Sequence, residues 1–287
     1  MKSRVAYAWS FYVAGAIVAS LTLGGAAAQG NTDRDRDGLV GLVHRVVSRT
    51  GGTSATRTYS RDGALLETVT RSAPPPDQPD LGGPPQKAVY EYDSQGRRTR
   101  EMIDEGDGVP YLSRAYAYDK GGRVLAEASY NMCGTFSSLT LYSYDAAGRL
   151  QEDLSYRFRS LFKRTYEFGP HGKVVARRNY KNDGLLTSTG YRYDEQGRLA
   201  EQLEYRPDGV LDSKVSYQYD RRGNQTREDT TNSSDSSLNG ARLSSYEFDA
   251  QGNWIARTMR RSLVSGDEAA STEVTERTIT YYGSSSE

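Results

Sequence analysis

A seven-residue pattern recurs seven times in this chain: an aromatic residue, any residue, a second aromatic residue, usually Asp, two further residues, and Gly. The second aromatic residues of successive copies are 26, 26, 24, 25, 26 and 29 residues apart. Such regular spacing predicts a stacked architecture, in which each unit buries its face only against its neighbours. The copies begin at Tyr90, Tyr116, Tyr142, Tyr166, Tyr191, Tyr217 and Tyr246.

Each period reads as two strands and two turns. Between Leu185 and Asp220, apolar and aromatic residues alternate with polar ones, and the turns fall at Asp194–Gly197 and Pro207–Gly209. The sequence therefore predicts an all-β fold, an antiparallel β-meander of stacked hairpins with roughly fourteen to eighteen strands, twisted and curved. An open sheet and one rolled into a partial shell or barrel both remain compatible with this pattern.

The residues of the turn are predicted to be structural rather than catalytic. Asp accepts hydrogen bonds from backbone N–H groups two residues further on, and Gly adopts the left-handed conformation that the hairpin loop needs. Because every copy has the same turn position, pairs of these carboxylates are not expected to act as acid and base. The predicted set is Asp93, Gly96, Asp119, Gly122, Asp145, Gly148, Gly172, Asp194, Gly197, Asp220, Gly223, Asp249 and Gly252.

The pattern Tyr-x-Tyr-Asp-x-x-Gly-Arg followed by Leu or Val resembles the YD repeat of the RHS family. The best matches run from Tyr116 to Val124, from Tyr142 to Leu150 and from Tyr191 to Leu199. The resemblance implies a long β-meander, which in toxin complexes and teneurins coils into a hollow shell, and it implies carbohydrate binding in general terms. The chain is much shorter than those members and lacks a toxin-like domain after the repeats, so a toxin-delivery role is not expected.

The first 28 residues have the pattern of a secretory signal peptide. Lys2 and Arg4 precede an apolar stretch that ends in small residues at Ala28, and a retained membrane anchor is the alternative. Cleavage would leave 35 basic residues, since two of the 37 are lost, against 37 acidic ones. The resulting charge of −2 argues against nucleic acid as a partner. The single cysteine, Cys133, allows neither an internal disulfide nor a cysteine-based zinc site, and no cofactor is predicted.

The remaining chain divides by composition into three segments. Residues 29–71 hold a strand at Leu39–Arg49 and a first hairpin; residues 72–86 form a Pro- and Gly-rich loop; and residues 87–287 hold the repeats and a final strand at Val274–Tyr282. Two polar loops, Thr231–Gly240 and Ser265–Thr272, interrupt the last repeats. In an open array the terminal strands would unfold first, because the Pro-rich loop interrupts pairing at one end.

Other candidate sites are predicted to be structural. Asp33–Gly38 matches the opening of a calcium-binding loop, but position 12 would be His44 rather than Glu, which favours a solvated leader with a turn. His44 and His171 have no catalytic or metal-ligating neighbours in the sequence. A series of basic residues alternates with tyrosines and could hold a single strand or an anionic glycan, but acidic partners across the strands are the favoured interpretation. The series is Arg97, Arg98, Arg100, Arg157, Arg159, Lys163, Arg164, Arg177 and Arg178.

These observations predict an exported, non-enzymatic repeat protein that acts as a binding surface at the cell envelope, in a secreted, periplasmic or cell-surface location. Carbohydrate is the favoured ligand, and another envelope protein is the second candidate partner. The alternatives are a structural protein that self-associates through exposed sheet edges, and a remnant of an RHS-type toxin or surface scaffold. No membrane span is predicted once the signal peptide is removed.

Overall fold

The computed structural model describes residues 32–73, 83–263 and 271–283. The predicted signal peptide, residues 74–82 of the Pro-rich loop and most of the predicted loop Ser265–Thr272 lie outside these ranges. The described residues form eighteen strands and a short helix, α1 (Asp33–Arg36), together with one turn of 3-10 helix at Ser236–Leu238. The number of strands confirms the predicted all-β meander.

Strands of seven to eleven residues follow one another along the chain. The first nine are β1 (Val43–Thr50), β2 (Thr53–Tyr59), β3 (Leu65–Ser72), β4 (Gln86–Tyr92), β5 (Arg98–Asp104), β6 (Leu112–Tyr118), β7 (Val124–Asn131), β8 (Phe136–Tyr144) and β9 (Leu150–Arg157). The second nine are β10 (Ser160–Phe168), β11 (Val174–Lys181), β12 (Gly184–Tyr193), β13 (Leu199–Tyr205), β14 (Leu211–Tyr219), β15 (Gln225–Asn232), β16 (Gly240–Phe248), β17 (Trp254–Leu263) and β18 (Ser271–Tyr281).

The sheet closes on itself as a barrel. Every strand pairs antiparallel with its neighbours in sequence, and β1 pairs with both β2 and β18. The closing ladder joins Val46 to Ile279 and Ser48 to Arg277. Closure removes the two free edges that an open meander of this length would expose. Of the architectures compatible with the sequence, the structure therefore shows the rolled one.

The Pro-rich stretch does not interrupt the sheet, and the prediction that it would do so is wrong. β3 and β4, which flank it, pair from Glu67↔Val89 to Thr70↔Gln86. Proline has no N–H group to donate, but the strands on either side retain their own N–H groups and pair through them. The first hairpin and the repeats consequently belong to one continuous sheet.

The segment before β1 is part of the folded barrel rather than a solvated leader, so that prediction is also wrong. Helix α1 begins at a capping box in which the Thr32 hydroxyl accepts from the Asp35 N–H while the Asp35 carboxylate accepts from Thr32. Leu39 then packs into the main buried cluster, which contains Leu39, Val43, Val46, Tyr59 and Leu65. Because Val43 and Tyr59 are fully buried, the segment covers the place where the first and last strands meet.

The antiparallel order places alternate turns at opposite ends of the barrel. The end that carries the turns after β2, β4 and every later even-numbered strand is called the motif rim, and the other end is called the loop rim. The seven repeat turns lie at the motif rim, together with the start of β1 and the end of β18. The loop rim carries the ends of the odd-numbered strands, including the end of β3 and the 3-10 turn that follows β15.

Gly96→Ala should lower the free energy of unfolding by about 1–2 kcal/mol. Gly96 has φ +74°, and an added Cβ would meet no atom within 4 Å, so the cost arises from the left-handed backbone alone. Urea denaturation of the purified protein measures this change. The matched control is Gly83→Ala, at another open position but without positive φ, which should be neutral or slightly stabilising. Equal effects of the two substitutions would show that the left-handed backbone at Gly96 is not the source of the cost.

Candidate functional site

The repeated turn is built around its aspartate in the six copies that have one. In Asp93–Arg97, the Asp93 Oδ1 atom accepts from the N–H groups of Gln95 and Arg97, and the Gly96 N–H donates to the Asp93 carbonyl. The predicted aspartates therefore bind their own turns, as the turn chemistry requires. All seven predicted glycines have positive φ: Gly96, Gly122, Gly148, Gly172, Gly197, Gly223 and Gly252. In the copy that has Gly169 instead of Asp, only the backbone hydrogen bonds of the turn remain.

In the first five copies, the basic residue that follows the turn glycine links the copy to the next one. Arg123 pairs with Asp119 of its own turn at 2.6 Å, and its guanidinium lies 4.8 Å from the centre of the Tyr144 ring in the next copy. The same arrangement occurs at Arg97, Arg149 and Arg198, and Lys173 lies over Tyr193 in the copy without Asp. Cation–π contacts of this kind contribute about 0.5–1 kcal/mol each at exposed sites. They form a ladder along the motif rim from the first copy to the sixth, and Arg222, which precedes its turn glycine, extends it to Phe248 of the seventh.

The second tyrosine of a copy is also tied to the preceding copy. Its hydroxyl donates to the backbone carbonyl five positions after the preceding turn Asp, as from Tyr144 to Val124 at 2.8 Å and from Tyr219 to Leu199 at 2.8 Å. The equivalent bonds of Tyr118 and Tyr193 reach Arg98 and Val174. The copy with Phe248 lacks this hydroxyl, and there Tyr246 donates to Gln225 instead.

Tyr144→Phe should lower the free energy of unfolding by about 0.5–1.5 kcal/mol, because it removes one hydrogen bond and leaves the ring in place. Thermal or urea denaturation would measure the change. The converse substitution, Phe168→Tyr, adds the hydroxyl to one of the two copies that lack it and should raise stability by a similar amount. A loss of stability in Phe168→Tyr would contradict the proposed geometry of the ladder.

The aromatic residues of the repeats share one face of the barrel wall, here called the aromatic face. In all seven copies the two aromatic rings are at least partly buried, whereas the residue between them is exposed on the opposite face. Side chains alternate between the inner and outer walls of a barrel, and those on a concave wall crowd together. The difference in burial therefore indicates that the aromatic face lines the inside.

Tyrosines and charged residues form a network on the aromatic face of β5 to β10. Arg114 pairs with Glu101 at 2.7 Å, and the Tyr116 hydroxyl lies 3.3 Å from the same carboxylate. Asp153 is 1% exposed; it accepts from Arg164 at 2.8 Å and from the Tyr166 hydroxyl at 2.7 Å. Burial is the main reason that the pKa values of Tyr116 and Tyr166 lie well above the ordinary value.

The corresponding tyrosines of β12 and β14 do not bind a carboxylate of the wall. The hydroxyls of Tyr191 and Tyr217 make no hydrogen bond to any described residue, and neither does the side chain of Gln202. In the strand register, Gln202 is paired with Tyr191 on one side and with Val215 on the other, so the three side chains share the aromatic face. Burial and the nearby Glu228 raise the pKa of Tyr217 to about 12, so its hydroxyl remains protonated at neutral pH. This part of the wall combines aromatic surface with polar groups that lack a protein partner among the described residues.

The remaining predicted candidates do not come together. Asp33 binds Tyr92 and Arg98, and Asp35 binds Thr32, so these carboxylates have separate partners rather than a common centre. No group of metal-ligating side chains occurs in the part of the chain that the structure describes. His44 lies in β1 against Tyr282, His171 lies in a repeat turn, and Cys133 is exposed in the turn after β7.

Four of the basic residues singled out in the sequence have acidic partners, but only Arg164 and Arg178 have them on a neighbouring strand, as the favoured interpretation predicted. Arg97, Arg98, Arg164 and Arg178 pair with Asp93, Asp33, Asp153 and Glu167 respectively. The sequence reasoning missed Arg57, Arg257 and Arg277, which the barrel closure brings to one region of the aromatic face. The available signal was their alternation with other residues of that face, as in Arg277, Ile279 and Tyr281.

Acid should weaken the motif rim. The pKa values of Asp93, Asp119 and Asp145 lie below the ordinary 3.8, chiefly because the N–H of the arginine after the turn glycine donates to each carboxylate, with that arginine's guanidinium adding to the effect. A carboxyl group with a lowered folded-state pKa contributes stability above its unfolded pKa, and this contribution is lost as the pH falls through the folded-state value. Urea midpoints should therefore decline below about pH 4. A triple Asp→Asn variant should decline less, and an identical decline would contradict the prediction.

No helix in the described part of the chain is long and apolar enough to cross a bilayer. No protein-family model matches the sequence, and no curated protein matches it. Among solved structures, similar chains include a porin-like protein from Bacteroides uniformis, with 11% identity, a TM-score of 0.45, and coverage of 83% of this chain and 96% of that one. A porin-like protein from Bacteroides vulgatus has 13% identity, a TM-score of 0.30, and coverage of 84% and 98%.

A further similar structure is that of TcdB2-TccC3-TEV, with 12% identity, a TM-score of 0.24, and coverage of 79% of this chain but only 17% of that one. The Photorhabdus luminescens Tc holotoxin pore gives 13% identity, a TM-score of 0.23, and coverage of 72% and 16%. Similarities at scores this low support no statement about this chain. The site on the aromatic face must therefore be interpreted from its own residues.

Proposed function

We propose that this chain is an exported, non-enzymatic YD-repeat protein of the cell envelope, and that its barrel provides a binding surface for carbohydrate. Carbohydrates present both apolar ring faces and hydroxyl groups, so a wall that binds them must offer aromatic surface beside hydrogen-bonding groups. A barrel of eighteen strands is wide enough to leave a water-filled interior lined by such groups. The aromatic face supplies the lining.

The observation that carries this proposal is the difference between the two halves of the aromatic face. From β5 to β10 the tyrosine hydroxyls bind carboxylates of the wall itself, as between Tyr166 and Asp153. At Tyr191, Gln202 and Tyr217 the polar groups have no partner among the described residues, although the two tyrosines occupy the same position in the repeat as Tyr116 and Tyr166. Polar groups beside a ring are suited to an external ligand when no neighbouring side chain uses them.

Both faces of the wall carry charged pairs, which supports a location in the aqueous part of the envelope. The aromatic face carries the pair of Arg164 and Asp153, and the opposite face carries Lys214 with Glu201 and Arg227 with Asp229. A wall in contact with lipid presents an apolar band, and a basic residue at its midplane costs about 2–4 kcal/mol. The pairs on the opposite, outer face would interrupt such a band.

Self-assembly through sheet edges is less well supported. That alternative requires a bare terminal strand, but β1 and β18 pair along the closing ladder from Val43 to Thr50. A closed barrel offers no unpaired strand to a second copy. Size-exclusion chromatography with light scattering should therefore give a mass that does not depend on protein concentration.

The test is a glycan array probed with the purified chain. We expect saccharide binding to the wild-type protein, and a reduction of at least about tenfold in affinity for Tyr191→Ala and Tyr217→Phe, because each removes a hydroxyl group that the ligand would use. The matched control is Tyr156→Ala, on the opposite face, where the residue is 48% exposed. The proposal would be refuted if the wild-type protein bound no saccharide on the array, or if Tyr156→Ala lost as much affinity as the other two variants.

A further inference from the structure

Three arginines meet on the aromatic face where the barrel closes. Arg57 lies in β2, Arg277 in β18 and Arg257 in β17, and the register places Ser48 of β1 opposite Arg277. The short Ser48 side chain leaves room for the long guanidinium groups around it. The Arg277 guanidinium also lies 3.3 Å from the centre of the Trp254 ring, which fixes its orientation. We call these three arginines and Trp254 the arginine cluster.

The cluster has too few acidic partners for its charge. Asp37 lies 3.4 Å from Arg57, and Glu273 lies 3.8 Å from Arg257, while Arg277 makes no ion pair with any described residue. The Nε atoms of Arg257 and Arg277 are buried and donate to no described atom. Buried cationic groups are ordinarily paired, because removing a charge from water without compensation is costly. Burial and the nearby charges of Arg57 and Arg257 lower the pKa of Arg277 to about 10, which reflects this crowding.

The cluster is nevertheless accessible to a small ion. The side chains of Arg57 and Arg257 are 22% and 33% exposed, so part of each side chain faces solvent. Guanidinium groups bind carboxylate, sulfate and phosphate through paired N–H donors, and they do so more strongly where the site is partly desolvated. Stacking on the Trp254 ring holds the Arg277 guanidinium in place before a ligand binds, which reduces the conformational entropy lost on binding.

We propose that the arginine cluster is a binding site for an oxyanion group, a sulfate or carboxylate, carried by an acidic saccharide. The choice of saccharide rests on the proposed function, whereas the oxyanion site rests on the three arginines alone. The arginine cluster lies on β2, β17 and β18, and is therefore separate from Tyr191 on β12 and Tyr217 on β14.

The experiment is isothermal titration calorimetry of the full chain with sodium sulfate, glucuronate and glucose, at an ionic strength held constant with sodium chloride. We expect sulfate and glucuronate to bind and glucose not to compete with them. Arg257→Gln and Arg277→Gln should each weaken binding by at least about tenfold, because each removes charged hydrogen-bond donors. The matched control is Arg260→Gln, an exposed arginine of β17 on the opposite face, which should leave binding unchanged.

The outcomes separate the two proposals. If sulfate binds at the cluster but glucuronate does not, the oxyanion site stands and its assignment to an acidic saccharide is refuted. If neutral saccharides bind and no variant of the cluster changes any affinity, the carbohydrate function stands and the oxyanion site is refuted. Should Arg277→Gln fail to fold, as judged by circular dichroism, the more exposed Arg257→Gln decides the result. Equal weakening in Arg260→Gln would show general charge screening and would also refute the site.

Discussion

Asp153→Ala should lower the free energy of unfolding by about 2–3 kcal/mol. Asp153 is 1% exposed and accepts hydrogen bonds from both Arg164 and the buried Tyr166 hydroxyl, so its removal leaves two donors without their acceptor. The Arg164 side chain keeps 46% of its exposure and can turn towards water, which keeps the cost below that of a fully buried pair. Urea denaturation followed by circular dichroism measures the change.

The matched control lies on the neighbouring strands. Glu167 and Arg178 also form an ion pair between adjacent strands, but their side chains are 53% and 41% exposed on the opposite face. Glu167→Gln should therefore change stability by less than about 1 kcal/mol, as exposed ion pairs usually do. If the two substitutions were equally costly, the distinction between the two faces of the wall would be wrong.

Tyr59→Ala should lower the free energy of unfolding by about 3–5 kcal/mol, and it should do so for the whole barrel at once. Tyr59 is fully buried in the cluster beneath the closing strands, where its hydroxyl binds Asp37 and its carbonyl accepts from Tyr282. Since β1 pairs with β18, loss of this packing removes support from the first and the last strands together. The fluorescence of Trp254 and the far-ultraviolet signal should therefore shift to lower denaturant concentration in parallel.

Tyr59→Phe provides the control, because it keeps the ring and removes only the hydrogen bond to Asp37, at a cost of about 0.5–1.5 kcal/mol. An open array behaves differently, since its end units unfold before its centre. Two separate transitions in the wild-type protein, with that of Trp254 occurring first, would contradict cooperative closure. The sequence predicted that the terminal strands would unfold first. Because these strands pair with each other in the closed barrel, we now expect a single transition.

The repeat motif allowed the strands and turns to be predicted because its determinants are local. An aspartate that binds its own turn and a glycine at positive φ act within five residues, as in Asp93–Arg97, and the alternation of apolar residues identifies the faces. The same reasoning identified the last strand near Val274–Tyr282, where the structure has β18. These features depend on no contact between distant parts of the chain.

Closure could not be predicted because it depends on accumulated curvature and on residues far apart in sequence. The ladder between Val46 and Ile279 joins positions with no recognisable pairing signal, and the capping of the barrel by Asp33–Leu39 resembles a polar leader in the sequence. The arginine cluster was missed for the same reason. Arg57 and Arg277 are separated by 220 positions, and only the meeting of the two ends places them on one surface.

Closure also restricts how such a chain can change in length. One copy of the motif contributes two strands, so the gain or loss of a whole copy leaves the first and last strands running in opposite directions and able to pair. A single added strand would reverse one of them and leave the seam without its antiparallel partner. Each copy would alter the circumference by two strand spacings, about 10 Å. The diameter of such barrels is therefore expected to vary in discrete steps, through duplication or loss of units of about 26 residues, while both rims keep their separate character.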